Sequence, residues 1–356
     1  MESMRPSGLR YPAVSIREGS AMKVDAGLNA SLAKVPDAIR ALEARGYDAA
    51  ITTETSHDPF LPLLLAAEHS ERIGLMTSIA VAFARNPATT AMAAHDLNAY
   101  SQGRFILGLG SQIKPHITKR FSMPWSKPAA RMREFILALR AIWDAWYRQR
   151  PLDFRGEFYT HTLMTPMFTP TDTAHGAPRV VLAAVGPLMT ETAGEVADGV
   201  IAHGFTTRRY MEETTIPALE RGLAKAGRER GDFELCYPGF VVTGADEESF
   251  AHSRTAVCKQ IAFYGSTPAY RPVLETHGWG ELQGELNAMS KRGLWDEMGT
   301  RITDEMLAEF AIVGEPREIA PRMLERYGSL VDRLALSLPF LPEEEQAQVV
   351  ASLKSA

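Results

Sequence analysis

The chain has 356 residues, of which 45% are hydrophobic and 23% are charged, an ordinary composition for a globular protein. Its formal net charge of −5 argues against a nucleic-acid or membrane-surface partner, because such partners attract basic chains. Two cysteines, Cys236 and Cys258, are too few for a disulfide framework or a cysteine-based metal site, and no apolar run approaches the roughly 18 residues of a membrane span.

The first 21 residues lack the apolar segment of a secretory signal. We expect residues 1–21 to form a poorly ordered extension and residues 22–356 to form one domain. The same observations predict a cytoplasmic protein that acts on a small molecule rather than on a membrane or a nucleic acid.

The first half of the chain alternates between short apolar runs and longer runs with helical spacing. The strand runs are apolar throughout, which is typical of parallel strands buried on both faces. Strands are predicted at 22–28, 47–53, 72–83 and 104–110, and helices at 31–46, 58–70 and 86–103.

The second half resumes the same alternation. Strands are predicted at 179–186, 199–204, 233–244, 310–314 and 331–339, and helices at 127–147, 187–198, 208–227, 246–265 and 315–328. A small hairpin is predicted at 152–160 and an insertion with little regular period at about 266–300. About eight strands in βα alternation, with no linker between halves, favour a closed (β/α)8 TIM barrel over an open doubly wound sheet.

The fourth strand ends in Gly108-Leu109-Gly110-Ser111, which looks like the start of a dinucleotide-binding loop. That motif needs a third glycine where this chain has Ile113, and an acidic residue further on, so we reject it. In a barrel, residues after a strand line the mouth where active sites lie. Gly110, Ser111 and Gln112 therefore either face a ligand there, or the glycines merely let the strand leave the barrel.

The second strand ends in Thr-Thr-Glu-Thr-Ser-His-Asp-Pro, which places Glu54, His57 and Asp58 close together. A carboxylate and an imidazole at a barrel mouth suit proton transfer, because histidine titrates near neutral pH. Asp58, directly before Pro59, is better explained as the cap of the next helix. Glu54 and His57 remain candidate catalytic residues.

Three further strand ends carry candidate binding residues. Ser78 is a small polar residue within the third strand, either approached by a ligand or satisfied in the core. The turn at Gly186-Pro187 starts a helix whose free N–H groups attract anions, although a plain turn would look the same. Thr206 and Arg208 follow the next strand and are either part of a phosphate site or solvated residues at a helix start.

The loop after the fourth strand contains His116, a candidate proton donor that could equally make a structural hydrogen bond. Long loops in compact folds are usually functional. The chain has no His-Glu-x-x-His or Cys-x-x-Cys motif, no Walker loop and no Gly-x-Ser-x-Gly elbow. We therefore expect no metal site and disfavour a hydrolase or a kinase.

Four segments together resemble the luciferase-like superfamily, and within it the coenzyme F420-dependent oxidoreductases. They are SQGRFILGLGSQ, ARNPATTAMAAHDLNAYS, LAAVGPLMTETAGEVADGVIAHG and FAIVGEPREIAPRMLERYG followed by VDRLALSLP. Their order and spacing cover most of the chain, from Met22 to about Pro339. The resemblance implies a TIM barrel with insertions, usually a homodimer, that binds a deazaflavin.

The resemblance also assigns binding residues. It implies a non-prolyl cis peptide at Ser78–Ile79, behind the deazaflavin ring. It implies cofactor-binding loops at 110–112 and 184–187, which are Gly110, Ser111 and Gln112, then Ala184, Val185, Gly186 and Pro187. The Gly108-to-Ser111 stretch then forms one wall of a flavin-like pocket.

The chain departs from the family where many relatives have Asp-His after the second strand, because it has Glu54-Thr55 there. A familiar acidic residue after the fourth strand is also replaced, near Gln112-Ile113. A threonine is no acid at neutral pH, so proton delivery is expected from Glu54, His57 or His116. We predict hydride transfer between F420 and a small organic substrate. The alternatives are an FMN-dependent monooxygenase and a non-catalytic flavin-binding protein.

Overall fold

Eight parallel strands close into a barrel in the computed structural model, which describes residues 21–355. They are β1 (Lys23–Gly27), β2 (Ala49–Thr52), β3 (Gly74–Thr77), β4 (Phe105–Gly110), β5 (Arg179–Ala184), β6 (Gly199–Ala202), β7 (Glu234–Tyr237) and β8 (Arg333–Leu336). The order is β3-β2-β1-β8-β7-β6-β5-β4, and β3 pairs with β4 to close the circle. The predicted TIM barrel is confirmed. Residues 1–20 of the predicted extension lie outside the described residues.

Side-chain alternation along the strands separates two apolar cores. Met76, Ile106, Val181, Ile201 and Cys236 pack together on the inner face of five strands and fill the barrel. Their sequence neighbours point outward and join the larger core between the barrel and its helices. Both faces are therefore buried, which explains why the strand sequences are apolar throughout.

Helices surround the barrel, and several begin at a proline, which suits the first helical turn. In the first half they are α1 (Val35–Ala44), α2 (Phe60–Glu68), α3 (Pro87–Tyr100), α4 (Pro128–Arg148) and α5 (Pro187–Val196). In the second half they are α6 (Arg208–Tyr210), α7 (Ile216–Ala226), α8 (Glu247–Gly265), α9 (Arg271–Glu275), α10 (Gly280–Lys291), α11 (Trp295–Met298), α12 (Asp304–Phe310), α13 (Pro316–Tyr327) and α14 (Glu343–Lys354). A π-helical turn at Met211–Thr215 joins α6 to α7.

Two predicted strands differ from the structure. The run at 233–244 breaks at Pro238-Gly239 into β7 and a second short strand, Phe240–Val242. The run at 310–314 forms the strand Ala311–Val313, which pairs in parallel with Phe240–Val242 outside the barrel. A hairpin of Phe154–Arg155 and Thr160–His161 forms where one was predicted at 152–160, and it ends one residue later.

The predicted insertion at about 266–300 is largely helical, contrary to its irregular sequence pattern, and contains α9, α10 and α11. These helices are short, so they show little periodicity. Their apolar residues, such as Leu286 and Met298, form a third core with Phe205 and Phe310. Because Phe205 follows β6, this core holds the insertion against the end of that strand.

The opposite, amino-terminal end of the barrel is closed by charged residues. Glu234 at the start of β7 is fully buried and accepts hydrogen bonds from Lys23 (2.8 Å), Arg179 (3.0 Å) and Arg333 (3.4 Å). Asp25 is also fully buried and pairs with Arg333. These buried ion pairs serve stability rather than catalysis, because barrel active sites lie at the other end.

Candidate active site at the barrel mouth

The end of β3 lies unusually close to β4. The peptide bond Ser78–Ile79 is cis, as the resemblance implies, and the chain continues as the short strand Ala80–Val81, which also pairs with β4. A Cβ on Gly108 would lie 1.7 Å from the carbonyl oxygen of Thr77, and a Cβ on Gly110 would lie 2.7 Å from Cδ1 of Ile79. Both glycines are therefore needed for this close packing.

Ser111 and Gln112 follow β4 at the mouth and are half-buried. Gln112 has a φ of 57°, in the left-handed region, and so turns the chain sharply away from the barrel. The hydroxyl of Ser111 donates to the carbonyl oxygen of Gln112 at 3.1 Å. This turn directs the chain into the loop that carries His116. The cofactor-binding role of Ser111 and Gln112 stays a prediction.

Glu54 is buried and already paired. Its Oε2 accepts hydrogen bonds from the backbone N–H of Val81 at 2.7 Å and from the guanidinium of Arg85 at 2.5 Å. Arg85 also binds Asp58 at 3.0 Å. Glu54 therefore ties the β2 loop to the segment after the cis peptide, which is an arrangement suited to positioning. Its predicted catalytic role stays a prediction.

The two candidate histidines both lie on exposed loops at the rim of the mouth. His57 is exposed in the β2 loop, and His116 is exposed at the start of a π-helical turn, His116–Arg120. The two loops touch, since Arg120 donates a hydrogen bond to the carbonyl oxygen of Thr55. Asp58 caps α2 as predicted, because it accepts from the N–H of Phe60 at 2.8 Å.

The loops after β5 and β6 enclose a recess of about 10 Å³, which is room for a single water molecule. Ala184, Val185, His203 and Thr206 are among its lining residues. Thr206 is 4% exposed, and its hydroxyl has no hydrogen-bond partner among the described residues. A buried hydroxyl without a partner costs free energy, so this one is available to a water molecule or to a polar ligand atom.

Gly186 and Pro187 start α5 beside this recess. A Cβ on Gly186 would meet nothing within 4 Å, so the turn has open space in front of it. Proline cannot donate, but the next N–H groups of a helix start are free to bind a polar ligand.

Arg208, another predicted binding residue, already has protein partners. Its guanidinium binds Glu212 at 2.8 Å and the carbonyl oxygen of Arg326 at 2.7 Å. These contacts join α6 to α13, and a cofactor contact for Arg208 stays a prediction.

His203 and Tyr270 form a pair at the mouth that the sequence analysis did not select. His203 follows β6 directly, and its Nδ1 accepts the backbone N–H of Phe205 at 3.0 Å. Its Nε2 lies 3.3 Å from the hydroxyl oxygen of Tyr270, which the insertion supplies. Burial lowers the pKa of His203 to about 4 and raises the pKa of Tyr270 to about 12, so both side chains are neutral near pH 7. The position of His203 after an apolar run was a usable sequence signal, whereas the contact with Tyr270 needed the tertiary structure.

A separate groove of about 1000 Å³ lies between the amino-terminal ends of α8, α13 and α14. It shares no lining residue with the mouth described above. Its lining is mostly acidic where it is charged, with Asp246, Glu247, Glu315, Glu344 and Glu345 against Arg317. Such a surface repels phosphate and carboxylate groups, so the barrel mouth is the better candidate site for an anionic cofactor.

Two kinds of feature are absent from the described residues. No group of three or more His, Cys, Asp or Glu residues in 21–355 is placed to hold a metal ion. No helix within that range is long and apolar enough to cross a membrane.

Comparison with known proteins gives the family. The model of the luciferase-like monooxygenase family matches residues 14–333. An uncharacterised protein of Mycobacterium tuberculosis is 55% identical over 333 residues, which cover 94% of this chain and 97% of that protein. The 5,10-methylenetetrahydromethanopterin reductase of Archaeoglobus fulgidus is 26% identical over 317 residues, covering 87% and 90% of the two chains.

Solved structures share the fold. The coenzyme F420-dependent tetrahydromethanopterin reductase of Methanopyrus kandleri superposes with a TM-score of 0.77 at 21% identity, covering 94% of this chain and 98% of that one. An FMN-bound Baeyer-Villiger monooxygenase from Pseudomonas putida superposes with a TM-score of 0.64 at 13% identity, covering 94% and 97%. Proteins with either cofactor are thus built on this barrel.

Proposed function

This chain belongs to the luciferase-like monooxygenase family, and from that premise we propose that it is an F420-dependent oxidoreductase. It transfers a hydride between the deazaflavin and a small organic substrate at the barrel mouth. The observation that carries the proposal is the close packing of Ile79 against Gly110 at the mouth, where the resemblance expects the wall behind the deazaflavin ring. A relative named as a putative coenzyme F420-dependent oxidoreductase, at 28% identity, and the F420-dependent reductase structure, at 21% identity, support the choice of cofactor.

The residues at the mouth fit such a group in two respects. The hydroxyl of Thr206 is buried without a partner among the described residues, and Gly186 leaves open space before α5. We propose that Ser78 and Ile79 lie behind the ring, with the loops at 110–112 and 184–187 and Thr206 around it. When bound, the deazaflavin supplies two-electron hydride chemistry, and the protein orients it and excludes water.

We further propose that the protein is a homodimer. Leu61 and Leu64 on α2 and Met92 on α3, which packs against α2, are 54%, 45% and 56% exposed. We propose that they belong to one apolar face, since exposed apolar patches are typical of interfaces. A second copy of the chain is the occupant that the family resemblance implies.

The test of the cofactor is a fluorescence titration of the purified protein with F420 and, in parallel, with FMN. Tight binding of F420 and weak binding of FMN is the expected result. Tight binding of FMN, followed by oxygen uptake with reduced FMN, would establish the monooxygenase alternative instead. Tight F420 binding without turnover of any substrate in a screen would indicate a flavin-binding protein.

A further inference from the structure

We propose that residues 4–14 of this chain bind in the groove of about 1000 Å³ between the amino-terminal ends of α8, α13 and α14. The occupant is thus a segment of the same chain, and it lies outside the described residues. The inference concerns an interaction surface away from the barrel mouth. It needs no cofactor and does not depend on the proposed function.

This acidic groove combines an apolar floor with a negative rim. Ala320 and Val349 in the floor are 2% and 4% exposed, and Phe250 also lines the groove. Acidic residues suit the first turn of a helix, because its N–H groups carry partial positive charge. Three helix starts that meet at one groove therefore concentrate carboxylates there. The charged groups of the lining are Asp246, Glu247, Glu315, Glu344, Glu345 and Arg317.

Most of the rim charge is unpaired. Arg317 pairs with Glu315 at 2.9 Å, and no cation among the described residues pairs with Glu247, Glu344 or Glu345. The Oε2 atom of Glu345 is buried and has no hydrogen-bond partner in the described part of the chain. A buried carboxylate oxygen without a donor costs free energy. The groove therefore favours an occupant that brings positive charge and hydrogen-bond donors.

The sequence of residues 4–14, Met-Arg-Pro-Ser-Gly-Leu-Arg-Tyr-Pro-Ala-Val, has the complementary chemistry. It contains Arg5 and Arg10 and no acidic residue, although the whole chain has a net charge of −5. A guanidinium carries five donors and can bind a carboxylate through two of them. Leu9, Tyr11 and Val14 supply apolar side chains for the floor. Opposite charge and shared apolar character make this segment a suitable occupant.

The segment can reach the groove from the start of β1. Asp48 accepts the backbone N–H of Val24 at 2.7 Å and the ammonium of Lys354 at 2.8 Å, so the last turn of α14 lies beside the start of β1. The first turn of α14 lines the groove, and its 12 residues make the helix about 18 Å long. The connecting residues 15–21 span up to about 23–25 Å when extended, which covers this distance.

Covalent attachment makes weak binding sufficient. A short connector gives the segment an effective concentration on the order of 1 mM at the groove. An intrinsic dissociation constant of about 0.1 mM would then keep the segment bound roughly nine-tenths of the time. Two ion pairs and a few apolar contacts are enough for such an affinity. Salt should weaken it, because charges on an open rim are screened.

The first experiment is hydrogen–deuterium exchange of the full-length chain, read by mass spectrometry. Amides of residues 4–14 should exchange about 10-fold more slowly in the protein than in a synthetic peptide of residues 1–20. About 0.5 M NaCl should remove most of this protection. The exchange of the barrel strands reports that each variant is folded.

Matched variants locate the contact. Glu345→Gln should reduce the protection of residues 4–14 at least about 3-fold, since it removes the carboxylate whose oxygen lacks a partner. Glu343→Gln is the control, because Glu343 starts the same helix but does not line the groove and faces Arg45 at 3.7 Å. Arg10→Gln should act like Glu345→Gln. Arg10→Glu combined with Glu345→Arg should restore protection, which a purely structural role of Glu345 does not predict.

The second experiment traps the contact as a disulfide. Both natural cysteines are buried, so new ones at exposed positions can be oxidised selectively. Ser7→Cys with Gln348→Cys, a residue of the groove lining, should form a cross-link within one chain. Ser7→Cys with Thr118→Cys, at an exposed position on the loop after β4, is the control and should not. A disulfide needs Cα atoms within about 7 Å, so the cross-link reports proximity.

Four outcomes would overturn the inference. They are exchange of residues 4–14 at the rate of the free peptide, and equal effects of Glu345→Gln and Glu343→Gln. A cross-link between two chains would place the segment in the groove of a second copy. Protection of the first turn of α14 by added spermidine or Mg²⁺, with residues 4–14 unprotected, would assign the groove to a free cation. None of these outcomes bears on F420, so the proposed function is tested separately.

Discussion

Thr77 and Gly108 exchange two hydrogen bonds inside the barrel wall: the hydroxyl of Thr77 donates to the carbonyl oxygen of Gly108 at 2.8 Å and accepts its N–H at 2.9 Å. The carbonyl oxygen of Thr77 occupies the space in which Gly108 would carry a Cβ. Both the side chain and the backbone of Thr77 thus hold the end of β3 against β4, directly before the cis peptide.

Gly108→Ala is expected to destabilise the protein strongly. The new methyl group would lie 1.7 Å from a backbone oxygen, so β3 or β4 must move. We expect a loss of about 3 kcal/mol or more in the free energy of unfolding, measured by urea denaturation. Gly186→Ala is the control, because its methyl group meets nothing within 4 Å. Equal stability of the two variants would contradict the close packing.

Arg85→Met should destabilise the mouth by removing one of the two partners of Glu54. The Glu54 side chain is 8% exposed and that of Arg85 is 19% exposed, so little water can replace the guanidinium. The expected loss is roughly 2–3 kcal/mol in the free energy of unfolding. Asp58→Asn, at the 41% exposed carboxylate on the same arginine, should cost less than about 1 kcal/mol. A larger effect in Asp58→Asn than in Arg85→Met would show that Glu54 does not depend on this pair.

Thr206→Val tests the hydroxyl without a partner. Removing it should leave the melting temperature of the free protein unchanged or slightly higher, because a buried unsatisfied group disappears. The affinity for F420 should fall about 3- to 10-fold, which corresponds to one hydrogen bond. Thr192→Val is the matched control, since its buried hydroxyl already donates to the carbonyl oxygen of Leu188 at 2.9 Å. Unchanged F420 affinity in Thr206→Val would remove Thr206 from the cofactor site.

Asp25, at the amino-terminal end of the barrel, makes the stability of the protein depend on pH. Burial raises the pKa of Asp25 to about 7, in spite of its pair with Arg333, from 3.8 in a free side chain. The raised folded pKa means that its contribution to stability is complete below about pH 4 and is lost as the pH rises through about 7.

Asp25→Asn should therefore become more favourable, relative to the wild type, between pH 5 and pH 8 in urea denaturation. Glu234, which lies nearby, should not contribute to this pH dependence. Burial opposes its ionisation, but Arg333, Arg179 and Lys23 together hold its pKa at about 2, below the range tested. A constant difference between variant and wild type across that range would mean that Asp25 does not titrate there.

Leu61→Glu and Met92→Glu should each convert the proposed dimer into a monomer, because a charge would be buried in the apolar face. Light scattering coupled to size-exclusion chromatography measures the mass directly. Phe263→Glu, at an exposed aromatic residue on α8, is the control and should leave the mass unchanged. A monomeric wild type, or a dimer that survives both substitutions, would place the interface elsewhere or remove it.

Much of the architecture could be predicted from local patterns. Continuous apolar runs such as 104–110 show that a strand is buried on both faces, and alternation with helical spacing selects parallel pairing. The cap of α2 could also be predicted from the sequence, because Asp58 directly before Pro59 accepts a hydrogen bond from the start of that helix. The run at 310–314 was recognisable as a strand, but only its partner Phe240–Val242 places it outside the barrel.

The chemistry of the mouth depended on contacts between residues far apart in the chain. The sequence by itself determined a parallel barrel and which loops lie at its mouth, because side-chain periodicity and turn chemistry act over a few residues. Only the tertiary structure tied Glu54 to Arg85 and Arg208 to α13, and brought Tyr270 to His203 across 67 positions. Hydrogen bonding and burial depend on which groups come into contact in the folded chain, and no local sequence pattern specifies those contacts.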